Sequence, residues 1–383
     1  MYNIVMKKTG ISLWVSAFLL ILSFILNVLS WKSRTFSDIY TNQIFPKLTT
    51  GYARLTSRVS FSVGERLLLM LLAIVAVTAL FLIIRVVLFI LKKELPMALK
   101  AFGRGYFRAL ALLFSAVILI MTINCFILYH CTPIRVSDNP GSEYNLEQLT
   151  ALRDYVVTRC NELSEQVPHD EAGNVIYGED MTEGAKEAVA SLSAVYPRLS
   201  GFTVTPKALL FSGFMSQQYM QGYYFPFSME ANYNDDMYIM NKPFTMCHEI
   251  AHTKGYIYED EANFLGFLSC IASDDPVFVY SGYLGVLNYV NNDFYKAVDR
   301  ATYDSHVKIS PQVKYDNQFL TDEAWKKVED NALLKTETVK KAADTFIDTN
   351  LKVNGVSSGK VSYAHVVGLL LEYYYNGAGA GSF

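Results

Sequence analysis

His248 and His252 lie four residues apart in the stretch CHEIAHTKGYIYEDEANF (247–264), with Glu249 between them and the carboxylates Glu259, Asp260 and Glu261 beyond Gly255. On a helix, two imidazoles one turn apart project from the same face and can reach one divalent ion. Glu249, beside them, is positioned to act on water at that ion rather than on the ion itself. The chemistry this spacing offers is hydrolysis. A zinc ion lowers the pKa of bound water to about 7, and a carboxylate takes its proton as it attacks a carbonyl. The expected cofactor is one Zn2+, with Glu249 catalytic and His248 and His252 as ligands.

A tetrahedral catalytic site takes a third protein ligand and keeps one open position. Gly255, three residues past His252, can end the first helix in a left-handed conformation that costs glycine little. Glu259 to Asn263 then spans one turn of a second helix able to double back over the first. Glu259 is the expected third ligand, and Asn263, on the same face, could hydrogen-bond the outer nitrogen of a ligating histidine and fix its tautomer. Glu261 projects roughly 200° away from Glu259 and is the weaker candidate, Asp260 weaker still. Cys247 points about 100° around the helix from His248 and is not counted as a ligand. His130, His169, His306 and His365 are isolated and read as surface or core residues.

Elements must hold these groups in place. In the soluble part, NLEQLTALRDYVVTRCNELSEQV places Leu146, Leu149, Leu152, Val156 and Val157 at helical spacing with Asn145 as a candidate cap. A second helix is expected from Thr182 to Tyr196. FTVTPKALLF and GYYFPFSMEANYN, aromatic and β-branched and broken by Gly and Pro, read as short strands and turns. From Pro243 onward the pattern is almost wholly helical, through Phe264–Ile271, Gly282–Val290, Asp322–Ala332, Thr336–Thr349 and Tyr363–Tyr374. The expectation is an α+β domain over 145–383, dominated by helix.

The front of the chain is different. Up to residue 132 there are 14 Lys/Arg and three acids (Asp38, Glu65, Glu94), so the overall net charge of −3 divides into +11 ahead and −14 behind. Three apolar runs, 11–29, 67–91 and 109–129, each approach the ~20 residues that cross a bilayer core as helix. They predict a membrane region over 1–131, a Pro/Gly/Ser/Asn-rich linker at 132–144, and a lipid bilayer as partner. Lys7 and Lys8 precede the first run, and no small-x-small cleavage site follows it, so it is expected to be a retained anchor rather than a signal peptide. The short loop 92–108 carries Lys92, Lys93, Lys100, Arg104 and Arg108. With the lysine pair it places the N-terminus in the cytoplasm of a plasma-membrane protein and everything after Cys131 outside. The first loop is also basic, over twice the length. Arg85, within the second run, reads as a snorkelling or paired residue rather than a transport group. Five cysteines show no disulfide spacing and read as buried thiols. Nothing points to a nucleic acid.

Glu-x-x-Ala-Asn after HExxH resembles the gluzincins, zinc metallopeptidases whose third ligand is glutamate. Over nearly its whole length the chain more closely resembles a family of bacterial membrane proteins known as domain of unknown function 3810. The resemblance runs through FSVGE (61–65), GYYFPFSMEAN (222–232), PFTMCHEIAHTKGYIYEDEANFLGFLSC (243–270), YSGYL (280–284) and SYAHVVGLL (362–370). It implies three N-terminal spans and a zincin-like peptidase domain, and it leaves the substrate open. The H-E-x-x-H-x-x-G spacing also resembles the metzincins, but their third histidine would fall at Tyr258, so Glu259 takes that role. Peptidases of this clan keep an edge strand beside the zinc helix. By that likeness Tyr223 to Met229, with Tyr223 and Tyr224, is the candidate substrate edge, and an ordinary core strand has the same composition. Tyr280 and Tyr283 are candidate oxyanion stabilisers on spacing grounds.

These readings favour a membrane-anchored zinc metalloprotease acting on a peptide or protein. The alternative is a non-catalytic, zinc-stabilised envelope domain that binds a peptide, a wall fragment or a protein partner, and an unidentified membrane partner is left open. Three spans with one internal arginine offer little for a transport pathway, and the polar flanks of HExxH disfavour an intramembrane protease.

Overall fold

The computed structural model describes residues 2–134, 136, 144–356 and 365–381. The linker expected at 132–144 and the first residues of the segment 362–370 fall largely outside the described residues. Two compact units divide the chain. The first comprises Met1–Thr41, Val63–Cys131 and Pro226–Ser228, the second Asn42–Ser62, Thr132–Phe225 and Met229–Phe383.

In the first unit, α1 (Tyr2–Lys32) is followed by α2 (Arg34–Ile39), capped by the Ser33 hydroxyl, and a π-helical turn at Tyr40–Ile44. After α3 (Phe45–Thr56), which belongs to the second unit, come α4 (Val63–Ile90) and α5 (Met97–Met121). Among the described residues, three stretches are long and apolar enough to cross a membrane: Gly10–Lys32, Val63–Ile90 and Met97–His130. The third starts earlier than the apolar run alone predicts, because the helix takes in Lys100, Arg104 and Arg108 and confines the preceding turn to 91–96.

Packing between spans relies on small and polar groups, as it must where lipid removes the hydrophobic drive. Ser16, Ser23 and Ser30, seven residues apart, are buried on α1, which packs against α5. Asn27 donates to Thr122 Oγ1 at 2.9 Å. Thr122–Phe126 is a π-helical turn, and the Ile123 carbonyl there accepts the Tyr40 hydroxyl at 2.7 Å. Such a turn disturbs the regular ladder and leaves carbonyls for side chains to satisfy.

The second unit opens with α6 (Leu146–Ser164), where Asn145 and Gln148 form the reciprocal capping box, and α7 (Met181–Ser191), capped by Asp180. Of the segment 202–211 only β1 (Lys207–Ala208) is strand, and α8 (Ser212–Gln217) follows directly. β2 (Gly222–Phe225) and β3 (Glu230–Tyr233) form an antiparallel hairpin, and β1 pairs parallel to β3, so the order is β1-β3-β2 with β2 outermost. Then come α9 (Lys242–Thr253), α10 (Glu259–Ile271) and α11 (Pro276–Ala297). α11 starts six residues ahead of the expected Gly282 because Asp275 caps it and Pro276 suits its first turn. α12 (Arg300–Ser305), α13 (Pro311–Asp316), α14 (Asp322–Asp330), α15 (Thr336–Val353) and α16 (Val366–Asn376) complete the unit. It is helix-dominated α+β.

α9 is the centre of this unit. Every residue from Pro243 to Thr253 is buried, enclosed by α7, α10, α11 and the β2–β3 hairpin. The sheet is pinned by a buried ion pair. Lys207 Nζ lies 2.5 Å from Glu230 Oε1 and also donates to the carbonyls of Thr56 (2.7 Å) and Phe61 (3.1 Å). That hook ties α3 and the residue run before α4 to the sheet. Breaking one partner of such a pair strands a buried charge, so Lys207→Met should destabilise the detergent-solubilised protein by about 3–5 kcal/mol in denaturant unfolding. The double variant Lys207→Met/Glu230→Leu should recover much of that loss; a loss of under about 1 kcal/mol in the single variant would show that the pair anchors nothing.

Candidate metal centre

Local sequence explains why α9 and α10 meet as they do. α9 ends at Lys254, and Gly255 turns the chain with φ +89°, a left-handed conformation that a Cβ would penalise. The turn is clamped. Lys254 Nζ donates to the carbonyls of Ser200 (3.0 Å) and Phe202 (2.9 Å), while Arg198 donates to the Gly255 carbonyl and lies 3.8 Å over the Tyr256 ring. Three residues later α10 begins with Glu259, Asp260 and Glu261 in its first turn, where the exposed N–H groups of a helix favour negative charge.

Glu259 Oε2 lies 3.3 Å from His248 Nε2 and 3.4 Å from His252 Nε2. One ligand atom from each of the three residues lies within 4.8 Å of the others. Ligand atoms 2.0–2.1 Å from a tetrahedral zinc are about 3.3 Å apart, so the two closest spacings fit a shared ion. The second nitrogen of His252, Nδ1, is 2.8 Å from the Tyr256 carbonyl. That bond sets Nδ1 as the donor to the Tyr256 carbonyl and turns Nε2 toward the Glu259 carboxylate.

The charges follow from burial and these contacts. Burial drives Glu259 up, but His252 and the hydrogen bonds from both imidazoles outweigh it and hold the carboxyl far below its usual range. Burial drives His252 down, yet the Glu259 and Glu249 carboxylates lift it to about 9. His248 is lowered, chiefly by burial and against the pull of Glu259. Burial and the shared carboxylate thus pull the two imidazoles in opposite directions. Protons and a divalent cation compete for such a set, because only deprotonated nitrogens ligate.

Glu249 is 4% exposed, and its Oε2 has no hydrogen-bond partner among the described residues. Burial, reinforced by Glu259 and opposed by His252, raises its pKa to about 8. On its other side sits Gly222, the first residue of β2. A Cβ there would come 2.7 Å from Glu249 Oε1 and 2.6 Å from the Asn232 carbonyl. The outer strand and the carboxylate are thus in contact only because residue 222 has no side chain.

Asn263, expected to steady a histidine, lies between the His248 ring and the Tyr289 hydroxyl and acts on both. His248 Nδ1 is buried and makes no hydrogen bond of ordinary geometry. Tyr224 on β2 has its ring 6.4 Å from that of His252, with its hydroxyl on Met229 Sδ. The ring of Tyr223, one residue back, meets Phe225 edge-on. Glu261 is aimed elsewhere, its Oε1 accepting the Ile134 backbone N–H at 2.7 Å. Asp260 caps the Glu261 N–H. Cys247, on the far side of α9, lies 3.9 Å from Cys270, and all five cysteines are buried thiols.

The two α11 tyrosines expected near an oxyanion have other partners in the structure. Tyr280 is fully buried and donates to Asp316 Oδ2 at 3.0 Å, in a network with Tyr238 and Gln312. Tyr283 lies 3.2 Å from the Tyr155 hydroxyl in a cluster with Phe267. The α11 tyrosine that reaches the site is Tyr289, whose hydroxyl bonds Asn263 and is raised by burial and then by Glu259. Only packing singles it out. Residues 282, 285 and 289 share one helical face, and Gly282 and Gly285 on that face abut Cys270 of α10 and Phe244 of α9.

A family model described as Protein of unknown function (DUF3810) matches residues 40–371. The chain belongs to that family. No curated protein and no solved structure matches it. The match covers α3, the second and third spans and nearly all of the second unit, the histidines and Glu259 included, so this centre lies within the DUF3810 region itself.

Gly222→Ala should force Glu249 or the Asn232 peptide to move, at about 1–3 kcal/mol of overpacking. Gly368→Ala, on α16 with nothing within 4 Å of the added atom, should be neutral or stabilising by up to about 1 kcal/mol. Denaturant unfolding of both variants checks the pair, and equal effects would mean that the Gly222 contact is not tight.

Proposed function

We propose that this DUF3810 protein is a membrane-anchored, zinc-dependent metallopeptidase. The observation that carries the reading is the convergence of His248 Nε2 and His252 Nε2 on Glu259 Oε2 at 3.3 and 3.4 Å, with the buried carboxylate of Glu249 next to them. His248, His252 and Glu259 would hold one zinc. When bound, zinc polarises a carbonyl and brings the pKa of water close to 7.

The chain's own residues supply the rest. Glu249 takes a proton from the water that attacks the scissile carbonyl carbon. As the C–N bond breaks, it returns that proton to the departing amine nitrogen, and a carboxyl and an amine leave. Its lifted pKa suits a group that must both accept and give a proton near neutrality. Tyr256 fixes the His252 tautomer through its carbonyl, and Asn263 steadies His248. β2, outermost in the sheet and carrying Tyr224 beside His252, is the strand along which an extended peptide would lie, as in β-strand addition.

The basic residues between the second and third spans support a cytoplasmic N-terminus. With three crossings, α3 and everything after residue 132 then lie on the far side. Their membership of one compact unit agrees with a shared side.

Metal analysis of the purified full chain should find one zinc per chain, and His252→Ala should lose it. Glu249→Gln should keep the zinc and cut turnover of a peptide library by 10² or more, the scale of a lost acid–base catalyst. Zinc retained with no hydrolysis by the wild type would favour the non-catalytic domain; unchanged cleavage by Glu249→Gln would remove the mechanism.

A further inference from the structure

α3 carries three stripes. Phe45, Thr49, Ala53 and Thr56 are buried within the second unit. One residue back along each turn, Ile44, Leu48, Tyr52 and Leu55 form a second stripe that is 40–60% exposed. Lys47 and Arg54 on α3, and Arg58 in the turn just past it, are exposed beside that apolar stripe, the Arg54 guanidinium lying 5.3 Å over the Phe202 ring. Phe61, just past the helix, is 46% exposed. A water-facing helix would present polar residues where Leu48 and Leu55 stand.

We infer that the exposed stripe of α3 lies in the headgroup–acyl boundary of the bilayer its own chain spans, with Lys47, Arg54 and Arg58 at the level of anionic headgroups. Twelve residues make a helix of about 18 Å, too short for a ~30 Å core, so α3 is built to lie on a membrane and not to cross one. Its place in the chain keeps it near a surface, since one candidate span ends at Lys32 and the next starts at Val63. An apolar face flanked by basic side chains is the pattern of an interfacial helix, and juxtamembrane Lys and Arg are drawn to anionic lipid. A second copy of the chain would bury the apolar stripe but would gain nothing from three like charges along its border.

The test is made on the full chain in vesicles of phosphatidylcholine and phosphatidylglycerol, with a nitroxide on Leu48→Cys, on Leu55→Cys and, as a water-exposed control, on Leu333→Cys (98% exposed in the parent). The native cysteines are all buried and compete little for label. At 48 and 55, accessibility to oxygen should exceed accessibility to a water-soluble nickel chelate, at a depth of about 5–10 Å, and the order should reverse at 333. Nickel accessibility at 48 and 55 equal to that at 333 overturns the inference. So does nickel exclusion accompanied by dipolar broadening between labels, which would mean that a second copy covers the stripe. Either position alone decides the matter if the other variant fails to fold.

Discussion

The Glu259 carboxylate, held between two imidazoles with its side chain 15% exposed, is the constraint that organises the second unit. A charge taken out of water costs several kcal/mol unless partners replace the lost hydration. Here the partners come from one neighbouring helix turn and from the helix that Glu259 itself begins. His248 and His252 approach from α9, and the first-turn N–H groups of α10 add a favourable field. That arrangement explains why α9 is enclosed on every side. An imidazole that must hold its ring within a few tenths of an ångström needs neighbours that leave it no other rotamer. The Tyr256 carbonyl does this for His252, and Arg198 and Lys254 hold the turn that presents that carbonyl.

Glu249 stands in contrast to Glu259. The two carboxylates are close enough to influence one another, and their environments push them in opposite directions, one far down and the other up to about 8. Pairs of titratable groups whose surroundings separate their proton affinities mark sites with an acid–base division of labour. A buried carboxylate oxygen with no partner also costs about 1–3 kcal/mol or more.

Much of this site was legible in the sequence because it is local. The HExxH spacing, the glycine break and the Glu-x-x-Ala-Asn turn all fall within sixteen residues, and helix periodicity alone puts Glu259 opposite the histidines. The third tyrosine of α11 was not legible. Tyr280, Tyr283 and Tyr289 look alike in sequence, and only the packing of Gly282 and Gly285 against α10 and α9 tells which faces the centre. The strand expected across 202–211 shrank to two residues because what fixes it is the single pair of Lys207 with Glu230, twenty-three positions away. α3 was hidden for a different reason. Two stripes of four residues and a basic one of three average to an unremarkable polar loop unless the burial of Phe45, Thr49, Ala53 and Thr56 is known.

That same helix gives a physical reason for a sequence block with no chemistry of its own. FSVGE, before the second span, offers no nucleophile and no ligand set, yet the Phe61 carbonyl at its start accepts Lys207. Lys207 in turn neutralises Glu230 on the strand paired with β2. A chain of three contacts thus runs from the residues entering the second span, through β1 and β3, to the strand that touches Glu249. The central link, Lys207 with Glu230, is buried, so removing one partner of that pair leaves an uncompensated group in the interior. The segment between the first and second spans is therefore part of the same structural unit as the candidate centre. Residues 145–383 taken alone lack α3 and the two carbonyls that Lys207 needs.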